Sequence, residues 1–275
     1  MRRKASSRLG VRTLPAFIAA AGCLVALAAC TPSVLRIPAG KAETYRRISV
    51  VPLEFRGITG QSSRYFHGGG DVLYLTGPPD NTVLGKEFGA VVVDGVPVFF
   101  DSSQLGPDGP GRAERFEKLV TGPREQWFPA VDLAEIAAER LRAAGVEATA
   151  ERDVVRIPGL ARRSPDGVPL DWWKPLNEWY GKDPDPLALA GYGDRGAQAV
   201  LVVAPLWIVP MNPGTQVRIF VKLIDPADGR VIGRAEADQT GPGSVSVEDF
   251  PAAFGSAACQ AVEKALRELG LVRAE

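Results

Sequence analysis

The sequence predicts an α/β fold: a mixed sheet of at least four strands with packed helices, and a β-hairpin segment inserted after the first strand. Three observations carry this. The runs ISVVPLEF at residues 48–55 and AVLVVAPLWI at 199–208 are dense in apolar and β-branched residues, as interior strands are. Two stretches, near residues 132–145 and 251–269, repeat apolar residues at the helical period. Helical and strand patterns also alternate along the chain, the order that lays helices on a sheet.

The chain starts with Arg2, Arg3, Lys4, Arg8 and Arg12 and no acid, and residues 14–29 carry no charge. This is the layout of a secretory signal, and the apolar run is too short to span a bilayer. It ends in Leu27-Ala28-Ala29-Cys30, which resembles the bacterial lipobox. The resemblance implies cleavage before Cys30 and a diacylglycerol on its thiol; an ordinary signal peptide and an uncleaved anchor are the alternatives. Cys23 follows small residues too, but lies inside the apolar run. Thr31 rather than Asp follows Cys30, which in Gram-negative lipoproteins implies the outer membrane, facing the periplasm.

Removing residues 1–29 leaves 246, which suits one domain over residues 46–275 behind a tether at 30–45 that contains Pro32, Pro38 and Gly40. The remainder has 27 basic and 32 acidic side chains, a net charge of −5 that argues against nucleic-acid binding. Cys259 then has no cysteine partner in the mature chain and reads as a small core residue of a helix.

Residues 48–55 form the first strand, with Pro52 suggesting an edge or a bulge. The insertion spans about 56–126. It is rich in Gly, Pro and Asp, with strand candidates at 72–75 and 90–100, and Asp94-Gly95 marks a two-residue hairpin turn. A helix follows with Asp132 as N-cap, Glu135 three residues on, and Gly145 at its close. Short strands are expected at 146–149 and 154–157. A Pro-rich loop then holds Trp172, Trp173, Trp179 and Tyr180, and a short helix should run from Asp185-Pro186 to near Gly196. After the strand at 199–208 and a turn at 210–214, Val217, Ile219, Val221 and Leu223 alternate with Gln216, Arg218 and Lys222, a half-exposed strand. Asp225-Pro226-Ala227-Asp228-Gly229 turns the chain into a return strand at 231–237, and a last helix runs from about Pro251 to Leu269, ended by Gly270.

This order of a lipobox, ISVVPLEF, DLAEIAAERLRAAGVEA, GAQAVLV, LIDPADGRVIGRAEA and a final helix resembles periplasmic lipoproteins of three related kinds: the curli-export lipoprotein, the penicillin-binding-protein activators, and the amino-terminal domain of TolB. The likeness covers roughly residues 46–55 and 130–270. It implies the α/β fold and docking on an export pore, a peptidoglycan synthase or a transporter. The chain departs from the pattern at Gln198, where an acid is common, at Asp228-Gly229, which lacks the Thr, and in the long segment 56–126. The auxiliary lipoproteins of ABC-type lipid transporters share a similar outline.

For chemistry, His67 is the only histidine, so a multi-histidine metal site is excluded and a hydrolase triad would have to use it. There is no Gly-x-Ser-x-Gly elbow. Gly68-Gly69-Gly70 lacks the Lys-Ser/Thr of a P-loop and reads as a turn. Asp94, Asp101 and Asp108 offer only weak acid pairs. No cofactor or metal is expected. Trp172, Trp173, Trp179 and Tyr180 are the candidate partner or ligand surface, the alternative being that they fold back to cap the sheet. The expected function is a non-enzymatic, lipid-anchored periplasmic factor that docks on an envelope protein. A glycan- or lipid-binding module using the aromatic loop, or an envelope hydrolase, are the alternatives.

Overall fold

In the computed structural model, nine strands of the described residues join into one mixed sheet with helices on both faces, which is the predicted class. The structure describes residues 34–38, 40–55, 73–74, 88–93, 96–101, 128–157, 162–163, 169–170, 174–211, 214–241 and 250–273. Residues Val34–Glu275 form one compact unit.

The long strand β9 (Ala199–Met211) organises the sheet. Along one edge it pairs antiparallel with β10 (Gly214–Ile224), which pairs antiparallel with β11 (Val231–Gly241). Its other edge is shared. Residues Ala199–Val203 run parallel to β1 (Arg47–Phe55), and further along, Ile208 pairs with Val98 of β4 (Val96–Asp101). Strand β4 forms the expected hairpin with β3 (Phe88–Val93); Val93 pairs with Val96, which leaves two residues for the turn. Strand β2 (Leu73–Tyr74) adds to β3. The inserted segment thus extends the sheet where β1 stops.

Alternation along β9 divides the core in two. Ala199, Leu201 and Val203 face α1 (Pro129–Ala143) and α4 (Phe250–Leu269), whereas Val200, Val202 and Ala204 face α2 (Lys174–Gly181) and α3 (Ala190–Asp194). The pairing with β10 slips by one residue at Leu206, so Leu206 and Trp207 both fall on the second side and Ile208 returns to the first. Such a bulge re-aims every side chain beyond it. A further two-stranded ribbon joins β7 (Arg162–Arg163) and β8 (Pro169–Leu170).

Four expectations need correction. Pro52 is neither at an edge nor in a bulge, because β1 is interior: β9 lies on one side, and β5 (Glu147–Ala150) followed by β6 (Val155–Ile157) on the other. Pro52 falls where β5 has ended and β6 has not begun, so its missing N–H leaves no ladder bond unmade on that side. Asp132 is not the N-cap of α1, which begins three residues earlier at Pro129, behind Phe128. Proline at the first helical position needs no N–H partner, and this start won over the capping-box pattern. No helix starts at Asp185-Pro186: Asp185 instead closes a turn by accepting from the Leu187 N–H at 2.9 Å, and α3 is only the five residues before Arg195. Lys222, assigned to a solvent face, is fully buried.

Candidate functional site

The residues expected to form a short tether are bound to the domain from Leu35 onward. The Leu35 N–H donates to Arg234 O and the Arg234 N–H donates to Leu35 O, both at 2.9 Å, so the segment adds to the outer edge of β11. Two residues on, the Ile37 N–H donates to Leu269 O at 3.2 Å and the Ile37 side chain enters the first core. Gly233 makes this approach possible, since a Cβ there would lie 3.0 Å from Leu269 Cδ2 and 3.1 Å from both Ile37 Cγ1 and Leu35 O.

The chain then makes a single 3-10 turn (Ala42–Thr44) and enters β1. The Gln198 side-chain oxygen accepts from the N–H groups of Arg46 and Arg47 at 2.7 and 3.1 Å, which ties the start of β1 to the approach of β9. An acceptor is what this position requires, and the Gln198 amide oxygen supplies it.

Helices α1 and α4 end beside this turn in the same manner. After α1, the Gly145 N–H donates to Arg142 O and the Val146 N–H to Leu141 O; after α4, the Gly270 N–H donates to Arg267 O and the Leu271 N–H to Leu266 O. Both glycines have φ of +84°, and the pattern is that of Schellman closure, which satisfies carbonyls a helix end leaves free. Between the two ends and residues 36–46 opens a cleft of about 1220 Å³. Among the described residues its charged lining is Arg36, Arg46, Arg267 and Arg273 against Glu43. Arg267 is paired with Glu263, while Arg36 and Arg273 have no ion-pair partner among the described residues. All four arginines are exposed, and so are Val34 and Leu35 at the cleft's approach, at 44% and 40%.

The aromatic candidates divide. Trp172 and Trp173 lie outside the described residues. Trp179 and Tyr180 lie in α2, not in a loop, with 2% and 1% of their surface exposed, so the sheet-capping alternative describes these two rings. Tyr180 stacks on Phe220 with ring centres 4.5 Å apart. Strand cations hold the helix end above them. Lys222 Nζ donates to Trp179 O at 3.0 Å and Lys182 O at 2.9 Å, and Arg234 donates to Tyr180 O and Gly181 O at 3.2 and 3.1 Å. Four carbonyls at the negative end of α2 are thereby closed by positive charge. Burial pushes the Lys222 ammonium below the usual lysine range, against the pull of Asp185. It pushes the Tyr180 phenol well above the usual tyrosine range, with the Glu236 carboxylate adding to the shift.

Cys30, His67, Gly68, Gly69, Gly70, Asp94 and Asp108 lie outside the described residues, and Asp101 ends β4 opposite Phe88. Cys259 is a free thiol, partly buried on α4 rather than fully in the core. Among the described residues no cluster of potential ligands could hold a metal ion, and no helix is long and apolar enough to cross a membrane. The sequence reading missed the basic cleft because its arginines are scattered over the chain. Gly145 and Gly270, each just past a basic last turn, were the available signal.

No family model matches the chain, and no curated protein matches it. Among solved structures it is similar to the PelC dodecamer from Paraburkholderia phytofirmans, at 15% identity over 88% of this chain and 97% of that one, with a TM-score of 0.37. The hypothetical protein CT253 from Chlamydia trachomatis is 14% identical over 52% of this chain and 83% of that one, with a TM-score of 0.27. Protein XCC0632 from Xanthomonas campestris, of the DUF330 family, is 12% identical over 82% and 81%, with a TM-score of 0.30. At these scores the likenesses fix neither a family nor a task.

Proposed function

We propose that this protein is a non-enzymatic lipoprotein, anchored through Cys30 on the periplasmic side of the outer membrane, that presents its domain in a fixed orientation to a protein of an envelope assembly or transport machine. The observation that carries the reading is the attachment of Leu35 to Arg234, five residues after Cys30. A lipid at Cys30 would be joined to the sheet by at most about 18 Å of extended chain, too short to let the domain roam. Acyl chains on that cysteine supply the membrane hold. Restricted orientation helps a docking factor by lowering the entropic cost of meeting a partner fixed in the same membrane.

The test is acylation and capture together. Wild type should incorporate labelled palmitate and Cys30→Ser should not. A photocrosslinking amino acid at exposed Thr240, near the end of β11, should capture one envelope protein in wild type and lose it in Cys30→Ser. Absence of label in wild type, or equal capture without the cysteine, defeats the reading.

A further inference from the structure

We infer that the cleft between the ends of α1 and α4 is a headgroup-reading surface, which lays the domain against a bilayer containing anionic phospholipid. The inference rests on the lipid anchor proposed above. Three separate features converge on this face. Among the described residues its charged lining is four arginines against one carboxylate, although the chain without residues 1–29 has a net charge of −5. Arg36 and Arg273 are exposed and have no ion-pair partner among the described residues, and the planar guanidinium fork is suited to phosphate. Val34 and Leu35 are two of the three exposed large apolar side chains among the described residues, and they precede Arg36 of the cleft in the chain. Apolar side chains at the rim of a basic patch are what an interfacial surface needs.

Position selects a bilayer over other anions. Arg36 is six residues from Cys30, within about 22 Å of it along even a fully extended chain. Attraction to the headgroups acts within a Debye length, about 8 Å at physiological salt, and a tether this short lets the arginines come within that reach. The negative ends of α1 and α4 would oppose an anion, but their last turns are closed by the bonds to Leu141, Arg142, Leu266 and Arg267 carbonyls. Arg267 is paired with Glu263, so the uncompensated positive charge of the cleft comes from the other arginines.

The full lipidated chain, carrying Cys259→Ala and Ala144→Cys labelled with an environment-sensitive dye, is reconstituted in phosphatidylcholine vesicles with or without about 30% phosphatidylglycerol. Ala144 is an exposed residue of the cleft wall. Dye emission should rise about twofold on the anionic vesicles, and the rise should vanish at roughly 0.5 M salt. Arg36→Glu with Arg273→Glu should abolish it without lowering the thermal midpoint, since both side chains are exposed. Equal emission on the two vesicle types, or a rise that survives charge reversal, overturns the inference. Suppression by millimolar inorganic phosphate at constant ionic strength also overturns it, and assigns the cleft to a soluble anion. Failure of the protein to float with neutral vesicles defeats the anchor instead, so the two readings fail separately.

Discussion

Lys222 Nζ lies 2.5 Å from Asp185 Oδ2, and neither side chain is exposed to solvent. The pair joins the middle of β10 to the loop between α2 and α3. Its ammonium also meets the Trp179 and Lys182 carbonyls and sits 4.8 Å from the centre of the Trp179 ring. One ammonium thus holds a carboxylate by ion pairing and two carbonyls by hydrogen bonds, and the position of α2 depends on it.

Removing one member should therefore cost more than removing both. Lys222→Met leaves the Asp185 carboxylate buried and takes the ammonium from the Lys182 carbonyl, while Trp179 O keeps the Lys182 N–H; it should lose about 3–5 kcal/mol of stability. Asp185→Asn keeps the acceptor for Leu187 and relieves the charge, so in the Lys222→Met background it should restore about 1–2 kcal/mol. Denaturant titration of the two single variants and the double closes the cycle. Additive losses would show that the pair is not coupled.

Tyr180 gives the alkaline limit of the fold. Its hydroxyl is buried without a hydrogen-bond partner among the described residues, and its pKa lies above the unfolded value near 10. The unfolded chain releases this proton first, so the contribution is intact below about pH 10 and falls above it by up to about 1.4 kcal/mol per pH unit. Lys222 acts with the opposite sign as pH rises through its lowered value, equally in wild type and variant. Tyr180→Phe should accordingly be neutral or stabilising by about 1 kcal/mol at pH 7 and should flatten the alkaline decline. Thermal midpoints from pH 7 to 11 measure both effects.

Gly233 holds open the seat of the N-terminal segment. A valine there would drive into Leu35 O, Ile37 and Leu269, and the segment is the part that can leave. Gly233→Val should expose the amide of Leu35 to fast hydrogen exchange and open residues 34–38 to protease, while the far strands stay protected. Unchanged protection at Leu35 would mean that the segment keeps its seat.

The sequence was most legible where one local rule governs the backbone. Gly145, Gly196 and Gly270 all take positive φ at helix ends, as their placement predicted, and Asp94-Gly95 was flanked by strands that do pair. It was least legible where a distant partner decides. Lys222 alternates with apolar residues just as a solvent-facing lysine would, and only the return of α2 over β10 buries it. Trp179 and Tyr180 were read as part of a Pro-rich loop because Lys174-Pro175 follows a stretch of prolines, yet Pro175 sits in the first turn of α2, where proline is tolerated. Likewise, nothing local distinguishes a free tether from one bonded to Arg234, since the deciding hydrogen bonds reach across some two hundred residues.

Two glycine-to-alanine changes on opposite sides of one contact should differ in sign. At Gly241, the last residue of β11, an added Cβ would stand 2.7 Å from Ala257 N and 2.9 Å from Ala253 O, both backbone atoms of α4 that cannot turn aside. Gly241→Ala must push the strand end off the helix, at a cost of about 1–3 kcal/mol. Gly255, in the second turn of α4, has nothing within 4 Å of the same position. Gly255→Ala should instead stabilise by about 0.5–1 kcal/mol, because alanine loses less backbone entropy in a helix. If Gly241→Ala proved as benign as Gly255→Ala in a denaturant series, the close packing of β11 on α4 would not hold in solution. The end of the sheet would then have to be separated from the helix that covers it.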